Sequence, residues 1–188
     1  MPHWLYTLRK RFTSDNEASW QGYLSFSGFL HITELISLDA ILCPNLIGPL
    51  RADDWLHNLP EFFYITLIHN GNYLVTRQPI DPPQSQVLAI LEYPDGSETV
   101  PTGYTVCGFD IVDEWNDISA LTNCGPIPEA FTPSMVNQWG LLPDLATALK
   151  VRDKLQQLAP DEPHFHNREI WRIARALIQS PGKVSGGS

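Results

Sequence analysis

The sequence predicts an α+β protein, a largely antiparallel sheet with one or two helices packed on it. Three observations carry this. Several short apolar runs with period-two alternation precede the single segment that changes to helical period. An Asn-Gly pair, Asn70-Gly71, joins two runs rich in β-branched and aromatic residues. Sixteen prolines interrupt the chain too often for a helical bundle.

Taken in order, residues 3–9 read as a first strand and residues 13–17 (TSDNE) as a polar loop. The aromatic-rich stretch 20–32 (WQGYLSFSGFLHI) alternates as a half-buried strand or pair of strands, bent at Gly22 and Gly28. In 36–50, Pro44 and Pro49 stop any helix, and Asp53-Asp54-Trp55-Leu56 allows no more than one helical turn. The runs on either side of His69-Asn70-Gly71-Asn72 form a hairpin over 62–78, because Asn-Gly supplies the positive φ angles of a tight turn. QVLAILEYP (86–94) is apolar enough to lie centrally in a sheet. DGSETVPTG (95–103) is a turn region, and YTVCGFDIVDE (104–114) is the next strand. A helix follows over about 143–158, on Leu141, Leu145, Ala148, Leu149, Arg152, Leu155 and Leu158. Pro143 suits its first turn and Asp144 its positive N-terminal end. Residues 167–178 fit both periods: Ile170, Ile173, Ala174 and Leu177 lie on one helical face, whereas Trp171, Ile173 and Arg175 alternate as in an edge strand.

At 188 residues the chain is expected to form one domain over 1–178, with a flexible tail over 179–188. A hydrophobic fraction of 43%, with six Trp, six Tyr and eight Phe, supplies a core without disulfide staples. Three cysteines, an odd number with no C-x-x-C pair, fit a reducing compartment and disfavour a zinc ribbon. No apolar run reaches the roughly 18 residues of a membrane-spanning helix, and MPHWLYTLRKRF lacks the apolar core of a signal peptide. The expected location is the cytoplasm.

Charge is distributed unevenly. Residues 1–77 hold five bases against seven acids, and residues 150–188 hold seven against four. The 72 residues between Arg77 and Lys150 hold ten acids and no Lys or Arg, so the middle of the chain carries more than the whole net charge of −9. Such a field repels nucleic acid and membrane phosphates and attracts basic surfaces. Acidity for solubility alone is the plainer explanation of the same numbers.

The densest part of that interval is CGFDIVDEWNDISALTNCG (107–125), with Asp110, Asp113, Glu114 and Asp117 around Trp115. Carboxylates that converge can share protons or hold a hard metal. Alternation sends Asp110 and Asp113 to opposite faces of the strand, Asp110 to the less buried one, and the spacing is not that of an EF-hand. A partner-binding face of Asp110, Asp113, Glu114, Trp115 and Asp117 therefore outweighs a metal or acid–base site, with a solvated loop as the plainer alternative. Trp115 would supply apolar area and a cation–π surface, unless it folds back onto the sheet. The alternative is an enzyme, hydrolytic or metal-dependent, that uses Cys124 or the His164/His166 pair. Cysteine and histidine need only meet in space, and two imidazoles two residues apart on a strand share a face. Cys43 and Cys107 read as core residues. No phosphate loop, dinucleotide fingerprint, nucleophile elbow or H-E-x-x-H motif is present, and no cofactor is expected.

LDAILCPNLI followed by DDWLHNL, CGFDIVDE with SALTNCG, and NQWGLLPDL together resemble small bacterial proteins of the immunity type, from polymorphic toxin systems, over roughly residues 36–175. The resemblance implies an acidic, single-domain cytoplasmic α+β protein that binds a toxin and blocks it, with no catalytic residues to carry over. The expectation is thus a non-catalytic acidic protein that binds a basic protein partner, and not nucleic acid or membrane. A structural subunit of a larger assembly, including a homo-oligomer, is the third reading.

Overall fold

The computed structural model describes residues 4–15, 20–36, 50–51, 65–68, 72–75, 85–113, 119–122, 129–158 and 168–177, with backbone alone at 5–10, 50–51, 65–68, 72–75, 85 and 113. Its centre is a five-stranded antiparallel sheet in the order β4-β1-β7-β9-β8. The strands are β1 (Leu5–Lys10), β4 (Leu50–Arg51), β7 (Ser85–Glu92), β8 (Tyr104–Asp113) and β9 (Arg168–Ala176). Two short antiparallel ribbons accompany it: β2 (Phe12–Thr13) with β3 (Glu34–Leu35), and β5 (Ile65–Ile68) with β6 (Asn72–Val75). The helices are α1 (Trp20–Ser27) and α2 (Leu145–Leu158). The molecule is α+β with antiparallel pairing throughout the described strands, as the sequence predicts.

The central strand is β7, and its residues Val87 to Leu91 are each at most 2% exposed. A strand covered on both faces needs apolar side chains at every position, which is why VLAIL shows no alternation. Residues opposed across antiparallel strands share a face. One face carries Phe109, Ile111 and Ile170, which pack with Ala148, Val151 and Leu155 of α2, Trp20, Tyr23 and Leu24 of α1, and Phe12 and Leu35 of the first ribbon. The other carries Leu88, Ile90, Trp171, Ile173 and Val112, packed with Ile36, Leu141 and the half-buried Trp139.

Two elements differ from the sequence expectation. Residues 20–27 form a helix, not a strand: Trp20, Tyr23, Leu24 and Ser27 are the buried set, at i, i+3, i+4 and i+7. Residues 168–176 form a strand. Ile170, Trp171, Ile173 and Ala174 are all buried because β9 lies between β7 and β8 and is covered on both faces. It is an interior strand and not an edge. Helix α2 starts two residues later than expected. Asp144 is its N-cap, its carboxylate accepting the Thr147 amide at 2.8 Å and the Thr147 hydroxyl at 2.9 Å. The buried seam of α2 is Ala148, Val151 and Leu155, whereas Leu149 and Leu158 are 37% and 45% exposed. Strands 65–68 and 72–75 pair as a hairpin within the expected 62–78, but with Ile68 opposite Asn72, so three residues connect them where a two-residue Asn-Gly turn would set 69 opposite 72. Residues 69–71 lie outside the described residues, as does the tail over 179–188.

The outer edge of β8 is closed by chain that is not a regular strand. Phe109 and Leu142 exchange both backbone hydrogen bonds, at 2.8 and 2.9 Å. Asn137 donates from Nδ2 to the Cys107 carbonyl at 2.7 Å and accepts from the Trp139 and Leu141 amides. This close approach requires Gly108 in β8, where an added Cβ would lie 2.7 Å from the Leu142 oxygen. Gly108 also ends a bulge, since the register with β9 shifts between Val106 and Gly108.

Candidate functional site

The acidic strand end is built around Asp110. The bulge puts Asp110 opposite Trp171 and Asp113 opposite Arg168 in β9, on opposite faces as alternation requires. Yet Asp110 is fully buried, which corrects the expectation that it faces a thinly covered side. That face has its own core, and residues 119–122 close the strand edge. Ser119 bridges to Val112, and the Ala120 amide donates to the Ile111 carbonyl at 2.7 Å. The Ser119 hydroxyl donates to Asp110 Oδ1 at 2.6 Å, and the Ile111 amide donates to the same oxygen at 2.9 Å. A buried carboxylate must be satisfied by such donors, and this one cannot also meet a partner in solution.

The Asp110–Ser119 bond therefore has a positional role. It ties the strand to the point where the chain returns after residues 114–118. Further along, the Thr122 carbonyl accepts from the Tyr23 hydroxyl of α1 at 3.1 Å. Both ends of the five-residue connection that contains Glu114, Trp115 and Asp117 are thus fixed side by side at the sheet edge. Glu114, Trp115 and Asp117 and the side chain of Asp113 lie outside the described residues, as do Cys43, Cys124, His164 and His166.

Other acids of the cation-free interval lie on the surface. Asp95, Glu129 and Asp144 are exposed. Asp95 accepts from the Ser97 hydroxyl at 2.6 Å and from its amide at 2.8 Å, and these bonds hold its carboxyl below the usual range. Asp144 is lowered likewise, first by the Thr147 amide and then by its hydroxyl. Both carboxylates stay charged well into the acid range. The 95–98 turn meets the start of α2, with the Gly96 Cβ position 3.5 Å from Leu145. Glu98 turns inward instead, accepting the Asp95 and Gly96 amides and lying 3.7 Å from Arg172 Nη1.

A second ionic group is one that sequence reading missed. Glu34 of β3 is 4% exposed and held by two arginines. Arg11 grips it with Nε at 2.7 Å and Nη2 at 3.0 Å, and Arg175 of β9 donates Nη1 at 2.8 Å. The Arg175 guanidinium also lies 5.5 Å from the Trp139 ring centre. Glu34 lies 23 positions from Arg11 and 141 from Arg175, so no local pattern announces the group. Cys107 lies near this group. Burial pushes its thiol up to about 11, so at neutral pH it is a protonated core residue and not a nucleophile. Its core assignment from sequence holds.

Among the described residues no group of three His, Cys, Asp or Glu side chains is arranged to hold a metal ion. No helix among them is long and apolar enough to cross a membrane. Among the described acids of the interval, Asp95, Glu129 and Asp144 present their charge at the surface. Comparison with protein-family models, with curated proteins and with solved structures finds no match.

Proposed function

We propose that the protein is a non-catalytic acidic binding protein that meets a basic protein partner in the cytoplasm. By its resemblance to immunity proteins, that partner is a basic toxin, which the complex blocks. The observation that carries this reading is the 72-residue interval with ten acids and no Lys or Arg, whose described members Asp95, Glu129 and Asp144 are exposed. The contact face is centred on Asp113, Glu114, Trp115 and Asp117. Asp110 acts behind it, as the buried acceptor that sets where the acidic connection leaves and rejoins the sheet.

Charge of one sign, presented on a fixed base, accelerates association and makes it sensitive to salt. The direct test is affinity capture from native cell lysate at low and at high ionic strength, read by mass spectrometry. One basic protein, retained at low salt in near-stoichiometric amount and weakened at high salt, is the expected result. Absence of any such protein at both salt concentrations overturns the reading and directs attention to Cys124 and the His164/His166 pair.

A further inference from the structure

We draw no further inference here: the strongest candidate, the surface patch where the exposed Tyr93 and Asp95 of the β7–β8 turn adjoin Asp144 at the start of α2, belongs to the acidic surface already proposed to meet a partner, and nothing in the structure shows what else covers it.

Discussion

Asp110 shows how one residue can be acidic without being part of an acidic surface. Its carboxyl group is fully buried, and its Oδ1 accepts from the Ser119 hydroxyl at 2.6 Å, at the short end of the range for such bonds. Leaving a buried acceptor less satisfied costs about 1–3 kcal/mol. Ser119→Ala should therefore lower unfolding stability by about 1–3 kcal/mol in a urea titration. A double-mutant cycle with Asp110→Asn should return a coupling energy of about 1 kcal/mol or more. Additive effects of the two changes would mean that the bond does not tie the strand to its returning chain. The sequence showed Asp110 as one of four clustered acids and gave no means of separating it from the others. What separates it is the pairing of residues 119–120 with the strand edge, a contact set by tertiary structure.

At the scale of elements, the Arg11–Glu34–Arg175 group joins the first ribbon to the main sheet. Glu34 is the buried member of the group, whereas Arg11 and Arg175 are 33% and 30% exposed, so water takes up part of the charge left behind when Glu34 is removed. Glu34→Ala loses the hydrogen bonds from both arginines and should cost about 2–3 kcal/mol. Arg11 is one-third exposed and Arg175 would still hold the carboxylate, so Arg11→Ala should cost only about 1 kcal/mol. Equal losses in chemical denaturation would show that Arg175 contributes no independent hold. Helix α2 supplies a pH test. The Asp144 carboxyl is lowered in the folded state from its ordinary value of 3.8. A depressed folded pKa gives stability that is present above the unfolded value and is lost as pH falls through the folded one. The melting temperature should therefore fall more steeply below about pH 4 in the native protein than in Asp144→Asn. Asparagine keeps the capping acceptor but does not titrate. Identical slopes would remove Asp144 from the acid response.

These elements also show what the sequence made legible. β7 could be recognised as central because a strand covered on both faces must be apolar throughout. α2 could be recognised because Pro143-Asp144 marks its start and its spacing changes to the helical period. The sequence of α1 reads locally as a strand, although Trp20, Tyr23 and Leu24 have helical spacing. Its aromatic residues and Gly22 favour extended chain locally, and the packing of that stripe against the sheet decides otherwise. β9 was ambiguous for the reason that made β7 clear: burial on two faces erases the alternation that identifies a strand. The acidic interval needed no structure to be seen, but which of its acids face solvent did.

For the whole molecule, the question is whether the negative field is general or directed. A general field makes association depend on net charge alone, whereas a directed one makes it depend on where charge is changed. Asp113 is a poor position for the test, since it lies opposite the buried Arg168 and a lysine there would set like charges across the strands. Glu114→Lys with Asp117→Lys avoids that pairing and changes the net charge by four units. The matched control is Asp15→Lys with Asp153→Lys, which makes the same net change at two exposed sites outside the cation-free interval. If the partner docks at the end of β8, the first pair should slow association about tenfold or more at low salt, within the range that steering supplies. The control should slow it much less, and both differences should shrink as salt approaches about 0.5 M and screening shortens the reach of each charge. Stopped-flow mixing with the captured partner gives both rates. Equal slowing by the two pairs would mean that the acidity is a property of the whole surface, and that the carboxylates of 114 and 117 have no special place in it.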